Sequence, residues 1–91
     1  MTIGVLAAGV GPEQVLPGAA AAIREVAIVE ASDLAVVGGS ARVTVRFTGD
    51  DDPHANRVAL HGIEGTRLMA SVVTWRVTRR DGGNWDAVAP A

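Results

Sequence analysis

The densest group of chemically capable side chains lies at residues 50–54, where three consecutive aspartates precede a proline and a histidine. Hard divalent cations are held by several oxygen ligands, so Asp50, Asp52 and His54 form a candidate metal site. The spacing does not match the twelve-residue calcium loop, and successive side chains on an extended chain point in opposite directions. We favour the competing interpretation, a solvated hairpin loop, and expect no cofactor.

Nucleophilic catalysis requires a serine or threonine beside a histidine that a carboxylate orients. Ser32, Ser40 and Ser71 are the only serines, and none lies in a G-x-S-x-G turn. His54 and His61 are seven residues apart, and two histidines without a third ligand make a poor zinc site. The chain therefore lacks a catalytic constellation, which favours a non-enzymatic role.

Four arginines form a candidate interaction face on neighbouring predicted strands, at Arg42, Arg46, Arg76 and Arg79. The whole chain carries eight basic residues against ten acidic ones, for a formal charge of −2. A nucleic-acid-binding domain normally shows a basic excess. We therefore exclude nucleic acid as a partner and expect this face to meet solvent or an acidic protein.

The aromatic side chains are Phe47, Trp75 and Trp85. Large apolar side chains line most small-molecule sites. These three residues are the candidate lining of a ligand pocket.

Length and composition predict a single domain of 91 residues that is 48% hydrophobic and has no cysteine. A chain of this size buries a small core, which a partner subunit would enlarge. The apolar start, residues 1–10, lacks a basic leader and is too short to cross a bilayer. We expect no membrane partner and a cytoplasmic or virion location. The absence of lysine beside abundant alanine, glycine and valine is typical of a GC-rich bacterial or phage genome.

The pattern divides the chain into four parts. Residues 1–11 are an apolar arm or edge strand, 12–24 a short helix that Pro17 interrupts, 25–88 antiparallel strands, and 89–91 a frayed tail.

Within the predicted strands, Val43, Val45 and Phe47 alternate strictly with polar residues, which predicts a half-buried strand over 42–48. Gly38-Gly39 and residues 81–84 predict hairpin turns. Residues 56–61 are interpreted as a short strand, with a helical turn as the alternative, 62–65 as a turn and 66–80 as one long strand with Val73, Trp75 and Val77 facing the core. The predicted fold class is α+β, mostly antiparallel β: a meander sheet of about five or six strands after one short N-terminal helical region.

Residues 39–88 resemble the C-terminal sheet of NTF2-like (cystatin-like α+β) domains. The resemblance rests on GSARVTVRF at 39–47 and VTWRVTRRDGGNW at 73–85, in which a long strand, a D-G turn and a Trp-led strand follow a glycine turn. It implies a curved sheet, dimerisation through that sheet and a reduced pocket, and it transfers no activity. The helices that usually cover such a sheet have no room in this chain.

The leading hypothesis is a non-enzymatic assembly or protein-interaction module that acts as a homo-oligomer, as a bacterial accessory subunit or a phage structural protein. Its partners would be a second copy of itself and another protein. The alternative is an NTF2-like domain, a small-ligand binder or minor enzyme with an apolar pocket.

Overall fold

The computed structural model describes residues 1–81 and 83–88, so the predicted tail at 89–91 lies outside the described residues. The described elements are, in chain order, β1 (Thr2–Leu6), a 3-10 turn (Pro12–Gln14), α1 (Val15–Arg24), β2 (Val29–Val37), β3 (Ser40–Phe47), α2 (Asp52–Arg67), β4 (Ala70–Thr74), β5 (Thr78–Asp81) and β6 (Asn84–Ala87).

Four strands form the main sheet in the order β2-β3-β1-β4, and β5 and β6 form a separate two-stranded sheet. Every neighbouring pair is antiparallel. The first six main elements thus follow a β-α-β-β-α-β order with β3 between β1 and β2, the split arrangement called ferredoxin-like. The α+β class is confirmed. The predicted meander is wrong, because β1 lies between β3 and β4 and a second helix separates β3 from β4.

The N-terminal strand β1 is an interior strand, so its interpretation as an edge strand is wrong. The Met1 amino group donates to the Val43 carbonyl at 2.8 Å, and the Val43 amide donates to the Met1 carbonyl at 2.8 Å. These two bonds fix the start of the chain to the middle of β3.

The predicted helix at 12–24 is confirmed as a 3-10 turn that leads into α1. Pro17 lies in the first turn of α1 and does not interrupt it. The first four amides of a helix have no partner within the helix, so a proline there removes no hydrogen bond. Leaving the helix, the chain turns at residues 25–28, and β2 begins at Val29, four residues later than predicted.

The second helix, α2, replaces the short strand and the turn predicted at 56–65, so the strand prediction is wrong and the helical alternative at 56–61 is the one observed. Asp51 caps the helix, because its side chain accepts the His54 amide at 2.8 Å. Gly62 and Gly65, which favoured a turn in the sequence, are the points at which α2 approaches α1. An added Cβ would lie 2.5 Å from Ile23 at the first glycine and 2.6 Å from the Ala22 Cβ at the second.

The long strand predicted at 66–80 is also wrong, because α2 continues to Arg67 and residues 75–77 separate β4 from β5. Val77 is buried as predicted, whereas Val73 is exposed. The hairpin at Gly38-Gly39 is confirmed, as is the pairing of the strands on either side of the second predicted turn, in which Gly82 lies outside the described residues. Gly38 and Gly39 have φ values of 59° and 81°, and β5 pairs with β6 up to Asp81 opposite Asn84.

The core lies between α1 and one face of the main sheet. A cluster of buried side chains joins β1, α1, β3 and β4 through Ile3, Val15, Ala19, Val43 and Ala70. The predicted two-faced character of β3 is confirmed, because its even-numbered residues from Arg42 to Arg46 are exposed and its alternate residues are buried or half-buried. We call the side of the sheet that carries this cluster the helix-covered face and the opposite side the open face.

Candidate functional site

The acidic segment has structural contacts at each of its predicted metal ligands. Asp52 accepts a hydrogen bond from Arg79 at 3.3 Å, and the Asp50 amide donates to His54 Nδ1 at 3.1 Å. That nitrogen also lies 3.9 Å from Asp50 Oδ2. Across residues 1–81 and 83–88, no three His, Cys, Asp or Glu side chains are grouped to hold a metal ion.

The four arginines of the predicted interaction face have different surroundings. Arg42 and Arg46 lie on the open face of β3. The Arg46 guanidinium carbon lies 5.0 Å from the centre of the Trp85 ring, in a cation–π contact. Arg79 forms the ion pair with Asp52 described above.

The amino group of Met1 is half-buried at the start of β1. Burial lowers its pKa from the ordinary value of 8.0, and the nearby positive charges of Arg42 and Arg76 lower the pKa further. Arg42 and Arg76 therefore both lie close enough to the Met1 amino group to affect its charge, at the end of the sheet where β1 begins.

The three aromatic residues of the predicted ligand pocket lie in different environments. Phe47 is half-buried on the helix-covered face of β3, opposite Val29. Trp85 is exposed and contacts Arg46, which lies on the open face, and Trp75 is exposed between β4 and β5. The cavity and the groove described next are lined by other residues.

One cavity lies beside β2, on the helix-covered face, and has a volume of about 200 Å³. Its lining is apolar and comes from β1, the first turn of the helical region, β2 and β3: Ile3, Gly4, Leu6, Pro12, Val15, Leu34, Ala41 and Val43. Leu34 is partly exposed at its edge. This cavity shows that the packing between the helices and the sheet loosens towards β2.

A second, open groove of about 440 Å³ lies between α1 and the end of α2. Gly18, Gly65 and Leu68 are among its lining residues, and Leu68 is 81% exposed. Glu25, which also lines the groove, joins the end of α1 to α2 through a contact of 3.0 Å with His61. The small residues that bring the helices together leave this shallow depression on the surface.

Among the described residues, the buried apolar side chains are small or of medium size, and several of the largest apolar side chains are exposed. The twelve buried apolar residues are all Ala, Val or Ile. Eleven large apolar residues are exposed, namely Val5, Val26, Ile28, Leu34, Val36, Val37, Leu60, Leu68, Val73, Trp75 and Trp85. Single exposed apolar residues are ordinary, whereas exposed apolar residues that lie next to each other can form a surface for another molecule.

Three of these exposed residues lie together on β2, an edge strand of nine residues with only Val29 half-buried. Val36 is 74% exposed and Leu34 46% exposed. Edge strands normally carry lysine, proline or inward charges that discourage pairing with another chain. The stretch from Ala31 to Val37 contains one charge, Asp33, and no proline.

The backbone of Leu34 points to the outer edge of the sheet. Leu34 lies opposite Val43, and both backbone groups of Val43 bond to Met1 on β1, so they face away from β2. The geometry of the β2–β3 hairpin leads to the same assignment. Val37 and Ser40 flank a two-residue turn, and the backbones of such flanking residues hydrogen-bond to each other, so Val37 faces β3. Since bonding alternates along an antiparallel strand, Ser32, Leu34 and Val36 direct their N–H and C=O groups outwards.

The opposite edge, β4, is a poorer surface for pairing. It has five residues, and its register against β1 shifts between Thr2 and Ile3 and again between Ile3 and Leu6. Such irregularities twist an edge strand and interrupt its hydrogen-bond ladder. The candidate functional site is therefore the β2 edge with its exposed apolar residues, which the sequence analysis did not identify. The available signal was a strand with little charge beside a glycine hairpin.

Comparison of the chain with models of known protein families, with curated proteins and with solved structures found no match. The resemblance to NTF2-like domains accordingly stays a prediction. Neither α1 nor α2 has the length and hydropathy of a membrane-spanning helix, and the described residues include no other α-helix.

Proposed function

We propose that this chain is a non-enzymatic assembly module that works as a homo-oligomer. The observation that carries the proposal is the distribution of apolar side chains. Both tryptophans and three of the five leucines are exposed, while the largest fully buried side chains are Val43, Val58 and Thr66. A second copy of the chain would cover part of this exposed set.

The energetic reason is that burial of apolar surface contributes about 25 cal/mol per Å² removed from water. A core of alanine, valine and isoleucine buries little area per residue, and small domains are correspondingly marginal. Leu34 and Val36 on one edge strand offer apolar area that the monomer leaves in water. Association therefore supplies stabilisation that the monomer core lacks.

Such a module fits a bacterial accessory subunit or a phage structural protein, acting in the cytoplasm or within a virion. The arginine-rich, lysine-free composition supports that origin. Arg42 and Arg46 on the open face offer positive charges to an acidic partner protein as a further contact of the assembled form. The ferredoxin-like arrangement assigns no activity, since one fold serves many functions.

The test is the molar mass of the purified chain, measured by light scattering and by sedimentation over a range of micromolar concentrations. We expect a mass above that of one chain, falling towards the monomer on dilution. A stable, folded protein that stays monomeric throughout this range would refute the proposal.

A second candidate function is the binding of a small apolar ligand, the alternative that the NTF2-like resemblance supports. The specific observation in its favour is the cavity of about 200 Å³ beside β2, which has an apolar lining. A cavity of roughly 150 Å³ is enough to hold benzene or xenon when its lining is apolar. Benzene should then raise the melting temperature of the wild-type chain, and substitution of Ala41 by leucine should remove the effect by filling the cavity. An unchanged melting temperature with benzene would exclude this function.

A further inference from the structure

We propose that two copies of the chain pair through β2, strand against antiparallel strand, so that two four-stranded sheets become one continuous sheet of eight strands. This inference rests on the proposed self-association and adds the surface, the orientation and the register. The occupant of the β2 edge is thus the same edge of a second copy.

The outward backbone groups carry the argument. Ser32, Leu34 and Val36 each present one donor and one acceptor at the edge of the sheet, as the bonds of Val43 to Met1 and the hairpin geometry require. Main-chain hydrogen bonds of this kind give affinity when an extended strand joins a sheet edge. A second β2 presents the same spacing of donors and acceptors, so the two edges are complementary in an antiparallel arrangement.

The register follows from the regular part of the strand. The pairing with β3 shifts between Val29 and Ala31 and is then continuous to Val37. The midpoint of residues 31–37 is Leu34. A two-fold axis through Leu34 uses the whole regular stretch and pairs Ser32 of one copy with Val36 of the other.

The charges agree with this register. The carboxylate of Asp33 then lies opposite Ala35, and Glu30 lies beyond the paired stretch. An axis one residue earlier would place Asp33 against Asp33 of the second copy, and like charges directly opposite each other destabilise a strand pair. Glu30 also has its own partner, because it accepts a hydrogen bond from Thr48 at 2.9 Å.

The exposed apolar side chains become buried in the same arrangement. Leu34 and Val36 lie on the helix-covered face, because they are opposite Val43 and Ala41. A two-fold axis perpendicular to the sheet keeps the helices of both copies on one side. The exposed Leu34 and Val36 side chains of the two copies therefore meet where the two β2 strands pair, and Leu34 contacts Leu34 of the second copy.

Single cysteines test the register directly, because the chain has no cysteine of its own. Residues directly opposite in a hydrogen-bonded antiparallel pair have Cα atoms about 5.5 Å apart, within the range of a disulfide. Leu34→Cys should therefore form a disulfide-linked dimer with glutathione disulfide as oxidant. In Val36→Cys the two cysteines lie four residue steps apart, roughly 13 Å at the rise of a strand, which is too far to bridge.

A mixture of Ser32→Cys and Val36→Cys should form the mixed dimer, and Leu68→Cys, exposed at the end of α2, is the control for random collision. The proposal predicts efficient cross-linking of Leu34→Cys and of the mixture, with Val36→Cys alone and Leu68→Cys at background. If light scattering shows an oligomer and Leu34→Cys and the mixture both stay uncross-linked, the β2 pairing is refuted while the proposed self-association stands. Equal cross-linking of all variants also refutes the pairing, and a strictly monomeric protein refutes both.

Discussion

Val43 and Leu34 lie directly opposite each other on β3 and β2, yet Val43 is 1% exposed and Leu34 is 46% exposed. Opposite residues on neighbouring strands share a face of the sheet. The layer of helices therefore covers β3 and ends before it reaches this part of β2. The uncovered margin combines exposed apolar side chains with backbone groups that face outwards, and this combination is the basis of the proposed assembly.

Proline substitutions should distinguish the β2 amides that face outwards from those that face β3. Val36→Pro removes an outward amide and should lower self-association while the fold persists, because proline is tolerated where the N–H of an edge strand faces solvent. The matched control is Ala35→Pro, one residue away, which removes an amide that faces β3 and leaves its acceptor without a partner, so it should lower the free energy of unfolding by about 1–3 kcal/mol. Light scattering and urea denaturation measure the two effects. A Val36→Pro protein that unfolds as easily as Ala35→Pro would contradict the assignment of outward amides.

The contact between Gly65 and Ala22 should oppose any added side chain. Alanine exceeds glycine in helix propensity by about 1 kcal/mol, which favours Gly65→Ala. The new Cβ would lie 2.6 Å from the Ala22 Cβ, which cannot rotate away, and overpacking costs about 1–3 kcal/mol. We expect a net loss of stability by chemical denaturation.

The compensating variant is Ala22→Gly in the Gly65→Ala background. It removes the opposing methyl group, so a double-mutant cycle should show a favourable interaction between the two substitutions. Strictly additive effects would mean that the helices do not meet at these two residues.

The capping role of Asp51 should be visible in stability. Asp51→Ala removes the acceptor of the His54 amide and should cost about 1 kcal/mol, the usual loss for an N-cap. Asp50→Ala is the control, because the side chain of Asp50 is 88% exposed and its amide contact to His54 is retained. It should change stability by less than about 0.5 kcal/mol. Equal losses in thermal or urea denaturation would argue against the cap.

The amino group of Met1 should make stability depend on pH. Burial and the charges of Arg42 and Arg76 hold its pKa below 8.0 in the folded chain, so the unfolded chain binds more protons between the folded pKa and 8.0. The contribution of this amino group to the free energy of unfolding therefore rises with pH through that interval and is constant above it. N-terminal acetylation removes the ionisation but keeps one N–H for the Val43 carbonyl. The free energy of unfolding of the chain with a free amino group, minus that of the acetylated chain, should therefore rise with pH through this interval. A fall of that difference with pH would contradict the prediction.

The elements that sequence reasoning predicted correctly are those that local pattern determines. The alternation of β3 and the glycine pair at 38–39 require no knowledge of distant residues. The second helix was missed because Gly62 and Gly65 resemble turn residues, whereas the structure uses them for close contact with α1. The aspartates favoured a hydrated loop, although Asp51 followed by Asp52-Pro53 is also a helix start.

The candidate site was missed for a different reason. The position of β1 in the middle of the sheet depends on long-range pairing with Val43 and Thr74, which no local pattern encodes. Only that strand order makes β2 an edge. The structure places the uncovered part of the helix-covered face at Leu34 and Val36.

Amide hydrogen exchange of the wild-type chain tests the central claim most directly. At concentrations where the chain is associated, the amides of Ser32, Leu34 and Val36 should exchange slowly, and they should lose that protection on dilution. The amides of Asp33 and Ala35, which face β3, should stay protected in both conditions and serve as internal references. Rapid exchange of the three outward amides at every concentration, in a chain whose references stay protected, would contradict the account.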